Sequence, residues 1–289
     1  MILILGSGYI GQAFTRELKR RNLLFEIANR AVFKYTEFSS LSTYLANERP
    51  DLVINAAGFC GQPNVDECEN RKSETLTANV ILPALIAAAC EQQFVSWIHV
   101  SSGCIFDGPS PDGAWTERDV PNFSFENKRH SFYSASKALG ERAISRISNC
   151  RICRLRMPFD ENDHPKNLLS KLQSYARVYD SPANSLSHLG DCVRACVDLW
   201  DKGAPAGIYN VTNPGAVTNR QIIGMIKDIL KPNRKFEFWQ SDATFYAVAA
   251  KAPRSNCVLS PAKLLAAGIE MRPVEQALTE SLQNWKTAP

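Results

Sequence analysis

The feature that most constrains this chain lies at its start. Ile2-Leu3-Ile4-Leu5 is an unalternated apolar run, and Gly6-Ser7-Gly8-Tyr9-Ile10-Gly11 follows it directly. Ile10, Phe14 and Leu18 then recur every four residues. A run without alternation is what a central parallel strand, covered on both faces, requires. The spacing of four is the stripe of an amphipathic helix. Between them, Gly6 allows a tight turn, Gly8 lets the backbone approach a pyrophosphate, and Gly11 lets strand and helix pack closely. The helix N-terminus, carrying Ser7, Tyr9 and Ile10, offers free N–H groups to phosphates. A G-x-G-x-x-G alone is a weak signal; between a buried strand and an amphipathic helix it predicts a dinucleotide site.

The same alternation continues. Strands are expected at 23–28, 52–55, 95–100 and 152–156, with helices at 42–48, 72–92 and 134–147. This is the pattern of an α/β fold built on a doubly wound parallel sheet, the Rossmann arrangement. It holds to about residue 158, so 1–158 reads as the dinucleotide-binding domain. Residues 159–289 read mainly as a smaller C-terminal substrate-binding lobe, with helical stretches at 189–202, 218–230 and 273–286. A late strand near 208–211 is placed to return to the first domain.

Composition removes other classes. With 45% hydrophobic and 21% charged residues among 289, the chain can bury a core and is not a disordered or fibrous protein. The apolar run 80–90 is flanked by Asn79 and broken by Pro83, and reads as too short to span a bilayer. No basic segment precedes an apolar leader, so secretion is not expected. Thirty-three Lys+Arg against 29 Asp+Glu leave a net charge of +4, and it is scattered. Its densest cluster, Lys19-Arg20-Arg21, reads as the charged end of a helix and not as a nucleic-acid patch. The balance still suits an anionic small molecule. Nine cysteines, an odd number without an export signal, read as reduced cytoplasmic thiols. The four histidines, at 99, 130, 164 and 188, have no ligand-like spacing, and no metal site is expected.

Two further patterns specify chemistry. The second strand ends in Ala28-Asn29-Arg30, with no acid to hold a ribose 2′-hydroxyl and an arginine suited to a 2′-phosphate. This predicts NADP rather than NAD. Tyr133-Ser-Ala-Ser-Lys137 places an ammonium one helical turn from a phenol, which is expected to lower the tyrosine pKa. A phenol so placed can donate a proton to a carbonyl oxygen under reduction. Ser102, in Ser101-Ser102 at the end of a strand, would add a hydrogen bond to that oxygen. With these residues the chain resembles the short-chain dehydrogenase/reductase superfamily in its extended, nucleotide-sugar branch. Asn55-Ala56-Ala57-Gly58 is similar to that branch's cofactor-side turn.

Ser101-Ser102-Gly103-Cys104-Ile105-Phe106 puts a cysteine two residues after the serine. The dTDP-4-dehydrorhamnose reductases, which only reduce, usually hold a tyrosine there, whereas GDP-fucose synthase holds a catalytic cysteine. Gly61-Gln-Pro-Asn-Val-Asp-Glu-Cys68, Pro121-Asn-Phe123, Leu155-Arg-Met-Pro158, Gly207-Ile-Tyr-Asn-Val-Thr-Asn-Pro-Gly215 and Ala252-Pro-Arg-Ser-Asn256 point closer. Together they resemble the bifunctional UDP-4-keto-6-deoxyglucose 3,5-epimerase/4-reductase family of UDP-rhamnose synthesis. The resemblance implies an NADPH-dependent enzyme acting on a UDP- or dTDP-linked 4-keto-6-deoxyhexose. Cys104 and Lys171 would be its inversion pair, and Ser102, Tyr133 and Lys137 its reduction set. Asn167 and Arg254 are candidate contacts to the substrate's nucleotide. Gln62 stands where the family loop has arginine, a departure at a substrate-facing position. The other eight cysteines read as structural. The superfamily often dimerises through helices such as 134–147, so a homodimer is an expectation. A reductase that needs a separate epimerase, and a cofactor-loaded regulatory protein without turnover, are the alternatives.

Overall fold

The structure, a computed structural model, describes residues 1–29, 33–146 and 149–287. Its centre is a six-stranded parallel sheet. The strands are β1 (Ile2–Leu5), β2 (Phe25–Ile27), β3 (Leu52–Asn55), β4 (Ser96–Ser102), β5 (Cys150–Leu155) and β6 (Gly207–Asn210). Their spatial order is β2-β1-β3-β4-β5-β6, so the chain winds outward from β1 to β2 and then returns to β1's other side. The crossover between β1 and β3 is the point where such sheets open a crevice at their carboxyl ends.

Successive side chains of a strand point to opposite faces, and β1 shows what covers each. Ile2 and Ile4 pack with Phe14 and Leu18 of α1 (Tyr9–Arg20). Leu3 and Leu5 pack with Leu41 and Leu45 of α2 (Phe38–Glu48) and Ile86 of α3 (Leu82–Gln92). Helix α4 (Phe132–Ile144) lies on the same side as α3, burying Ile144 in that core. The segment Lys72–Gln92 is helical throughout, with a π turn at Thr77–Ile81 taking up the step before Pro83. Those 21 residues are therefore long and apolar enough to cross a membrane, contrary to the expectation of a broken run. Leu82, Ile86, Ala89 and Cys90 account for the apolarity as core residues under the sheet.

Beyond α5 (Leu168–Ser174), helix α6 (Leu189–Asp201) departs from the sequence reading. It packs not in the smaller lobe but on α1 and the sheet, through Leu189, Cys192, Val193, Cys196 and Leu199. Arg21 at the end of α1 fixes it, donating to Asp198 at 2.6 Å. The smaller lobe has its own core, in which Leu169 and Leu172 of α5 meet Ile222, Ile223 and Ile226 of α7 (Asn219–Leu230) and Leu278 and Leu282 of α8 (Val274–Gln283).

Candidate active site

The carboxyl ends of β1, β3 and β4 open into a cleft of about 1470 Å³. That exceeds the roughly 300–1,000 Å³ of a typical small-molecule pocket. Its floor begins at the glycine turn. Gly6 has φ +101° and lies so close to β3 that a Cβ there would sit 2.7 Å from the Ala57 nitrogen. A Cβ on Gly11 would sit 1.9 Å from the Gly6 carbonyl oxygen. A Cβ on Gly8 would meet nothing within 4 Å, although Gly8 caps α1 and lines the cleft. The three glycines thus do different things: two serve packing, and the third keeps a helix N-terminus open. Ser7, Tyr9 and Ile10 line the cleft beside it, and Ala56, Ala57 and Gly58 face them from β3.

The β3 turn is held by buried amides. Asn55 Oδ1 accepts from the Ala57 N–H at 3.1 Å, while its amide nitrogen meets His99 Nδ1 at 3.0 Å. Asn79 accepts from the Phe59 N–H and donates to the Phe59 carbonyl, at 2.9 and 2.8 Å. Tyr9 ties the glycine turn to the second lobe, donating to Asp160 at 3.0 Å and stacking on His164 with ring centroids 4.4 Å apart. Arg30 lies outside the described residues.

Ser102 ends β4, and Tyr133 and Lys137 lie on α4, whose N-terminus Ser131 caps by accepting from the Ser134 N–H at 3.1 Å. All three side chains line the cleft. The Lys137 ammonium donates to the Val100 carbonyl at 3.1 Å. Burial pulls its pKa down to about 8, against the opposing charge of Glu141. Glu141 accepts from Ser101 and, bidentately, from Arg154, so a buried network backs this helix face. The tyrosine corrects the sequence expectation. Burial pushes the Tyr133 phenol well above its ordinary value, with Cys104 and Cys60 adding to the rise and the Ser102 hydrogen bond opposing it. Desolvation favours the neutral phenol, and here it outweighs the helix-turn spacing to Lys137.

Cys104 lies in the short turn Gly103–Ile105 and lines the cleft, its N–H donating to Ser102 Oγ at 3.2 Å. A buried guanidinium adjoins it, with Arg156 Nη1 2.7 Å from the sulfur. Lys171 faces the cleft from α5, and burial lowers its pKa while Cys60 and Cys104 favour its charged form. Cys60, assigned from sequence to the structural thiols, instead lines the cleft with the Lys166 ammonium 3.6 Å from its sulfur. Gln62 is exposed at the rim of the same cleft.

Two expected contacts are already engaged within the protein. Asn167 is wholly buried as the N-cap of α5, accepting from the Leu169 N–H at 2.9 Å and donating to Asp160 and Asn162. Arg254 is engaged bidentately by Asp66 at 2.6 and 2.7 Å, and holds the 61–66 loop to the second lobe. Arg156 and Cys60 are the site residues sequence reasoning missed. Arg156 had a signal, a guanidinium directly after the strand Cys150–Leu155 and before Met157-Pro158.

The family model described as RmlD substrate binding domain matches residues 1–287. The chain belongs to this family. Among relatives of this RmlD-family chain, a bifunctional dTDP-4-dehydrorhamnose 3,5-epimerase/dTDP-4-dehydrorhamnose reductase of Arabidopsis thaliana is 33% identical over 245 residues, 83% of this chain and 78% of that protein. A trifunctional UDP-glucose 4,6-dehydratase/UDP-4-keto-6-deoxy-D-glucose 3,5-epimerase/UDP-4-keto-L-rhamnose-reductase of the same plant is 30% identical over 278 residues, 94% of this chain. This chain spans only 40% of that relative's length. The crystal structure of a UDP-rhamnose synthase from Acanthamoeba polyphaga mimivirus superposes with a TM-score of 0.88, at 26% identity, covering 98% of this chain and 99% of that one. A dTDP-4-dehydrorhamnose reductase of Bacillus anthracis in complex with NADP shares the fold, with a TM-score of 0.80 at 18% identity over 98% of this chain and 97% of that one.

Proposed function

We propose that this RmlD-family chain is an NADPH-dependent enzyme that takes a UDP- or dTDP-linked 4-keto-6-deoxyglucose, inverts C3 and C5, and reduces C4. The observation that carries the reading is that Ser102, Cys104, Tyr133, Lys137 and Lys171 line one cleft with the glycine turn. The residues fit a dinucleotide: the space over Gly8 admits a phosphate backbone, and the turns at Gly6–Gly11 and Ala56–Gly58 form its two walls. Bound NADPH supplies hydride to the C4 carbon.

The chain's own residues do the rest. A ketone at C4 acidifies the C–H bonds at C3 and C5. Cys104 removes a proton from one face and the Lys171 ammonium, made more acidic by burial, returns one from the other. Ser102 hydrogen-bonds the carbonyl oxygen. Tyr133 is a neutral phenol at neutral pH, a form that burial favours further, so it has a proton to give O4 as the hydride arrives. Lys137, held between Val100 and the charge of Glu141, positions the phenol and the cofactor ribose. Lys137, Lys166 and Lys171 give the cleft the sign an anionic sugar nucleotide needs.

The test is an assay with NADPH and either UDP- or dTDP-4-keto-6-deoxyglucose in D₂O, following absorbance and identifying the sugar by NMR. The reading expects NADPH oxidation, a rhamnose product, and deuterium at C3 and C5. Cys104→Ala should lose exchange at both carbons while still binding NADPH. NADPH oxidation only after a separate epimerase is added would make the chain a plain 4-reductase. No oxidation with either substrate would leave the non-catalytic reading.

A further inference from the structure

We propose that Arg156 is a positioning residue for the inversion step: its buried guanidinium holds the Cys104 sulfur in the anionic form that can act as a base. The role in inversion rests on the function proposed above; the charge pairing rests on geometry alone. Cys104 follows β4 and Arg156 follows β5, and these strands pair in parallel with Ser102 opposite Leu155. The sheet register therefore brings the two residues together across 52 positions of sequence, with Nη1 2.7 Å from the sulfur.

Arg156 is 2% exposed. Its other side-chain contacts are the Asn184 Oδ1 and the Ser255 carbonyl, at 2.5 and 2.6 Å from Nη2. Both are neutral acceptors. Among the described residues no carboxylate hydrogen-bonds this guanidinium, whose partners are the Cys104 sulfur, Asn184 and Ser255. Asp107 and the Cys257 thiol are the other groups whose charge favours this guanidinium, but neither is hydrogen-bonded to it and Asp107 is ion-paired with Arg129. Lys137, Lys171 and Tyr133 also face Cys104 from the cleft. A buried charge without a directly bonded counter-charge is costly, and the one hydrogen-bond partner here able to become negative is the thiol. Thiolates form where such a cation is close. The fork also fixes direction, because two neutral acceptors anchor Nη2 while Nη1 is left for sulfur. Asn184 is itself fixed, donating to the Pro182 carbonyl at 2.8 Å and accepting from the Cys257 N–H at 2.9 Å.

Cys104 thiolate takes a proton from the carbon beside the ketone, so an S–H bond forms and the C–H electron pair passes into an enolate. Lys171 ammonium gives a proton to the opposite face and becomes an amine. Exchange with solvent returns Cys104 to thiolate and Lys171 to ammonium, and nothing is oxidised or reduced. Arg156 stays protonated throughout and of the reacting groups touches only Cys104, so its effect is read through that base.

The experiment alkylates the full chain with iodoacetamide between pH 6.5 and 9 and quantifies Cys104 by peptide mass spectrometry, because Cys60 faces the same cleft. An ordinary thiol, with its pKa near 8.5, gains roughly 50- to 100-fold in rate across that range. Cys104 in the wild type should gain less than about tenfold. The ratio is insensitive to how open the cleft is. Arg156→Met should restore the steep rise, and Arg156→Lys, which keeps the charge, should rescue most of the flat profile. NADPH binding and the thermal midpoint report whether each variant folds; if Arg156→Met does not, the wild-type profile and Arg156→Lys still decide. A wild-type profile as steep as that of the urea-unfolded chain, or one that Arg156→Met leaves unmoved, would overturn the proposal. The arms separate cleanly. A flat, Arg156-dependent profile without deuterium at C3 or C5 removes the epimerase reading and leaves the charge pair standing. Exchange with an ordinary profile does the reverse.

Discussion

Adding one methyl group at Gly8 and, separately, at Gly11 should damage the protein in two different ways. At Gly11 the new Cβ falls 1.9 Å from a backbone oxygen, that of Gly6. Restoring even 3.0 Å needs a movement of about 1.1 Å in the turn or in α1, and neither can yield as a flexible side chain would. Alanine is the better helix former by about 1 kcal/mol, but overpacking of this kind costs about 1–3 kcal/mol or more. The clash should win, so Gly11→Ala loses stability in urea melts and NADPH affinity with it. At Gly8 the Cβ meets no protein atom within 4 Å and the backbone is extended at φ −76°, so Gly8→Ala should melt within about 0.5 kcal/mol of wild type. If the cofactor's phosphates pass over Gly8, the same methyl stands in their way and should weaken NADPH binding by about 5- to 150-fold, the equivalent of 1–3 kcal/mol. Fluorescence titration with NADPH reads this. Wild-type affinity in a folded Gly8→Ala protein would refute the placement of the phosphates, and an undisturbed Gly11→Ala would refute the account of the turn.

Three other outcomes follow from the site. Tyr133→Phe should retain NADPH binding and lower single-turnover reduction by roughly 100-fold or more, since the phenol is the proposed acid; near-normal reduction would assign that role elsewhere. Lys137 is charged below about pH 8 and neutral above it, so kcat/KM, which reports the free enzyme, should fall about tenfold per unit as pH rises beyond that value, and a profile flat to pH 10 would contradict its role. Arg30→Ala should cost about 1.5–3 kcal/mol of NADPH affinity, the size of a charge-assisted contact, and leave NADH affinity unchanged, so equal use of both cofactors by the wild type would end the 2′-phosphate argument.

The sheet was legible because a parallel strand buried on both faces leaves no polar alternation; β1 and β3 carry no polar residue in their centres, and β4 only the buried His99. The Tyr133–Lys137 face of α4 was legible for a similar reason, as four-residue spacing survives translation into structure. What an apolar stripe cannot say is against what it packs. Helix α6 has such a stripe and was placed with its sequence neighbours, whereas the core of the sheet claimed it. The same blindness to partners affected Asn167 and Arg254. Both are polar residues in a motif, and each is engaged by a residue far off in sequence or by its own helix end. The direction of the Tyr133 shift failed on depth, since spacing reports that Lys137 is near but not that burial is stronger.

Arg156 marks where a one-dimensional reading stops and what would extend it. A guanidinium at the end of a strand with no acidic neighbour in sequence is ambiguous between a surface residue beside an edge strand and a buried charge with a distant partner. The strand itself removes the first reading, because β5 sits between β4 and β6 and is buried at every position. Once two parallel strands are known to be adjacent, the residues just past their carboxyl ends become neighbours at the crevice where such sheets bind ligands. Ser102 opposite Leu155 then makes Gly103 and Cys104 the first residues able to meet Arg156. The inversion chemistry proposed here depends on that register, not on any local motif. A one-residue slip between β4 and β5 would turn Arg156 to the other face of the sheet and leave Cys104 without its cation, with every sequence motif still in place.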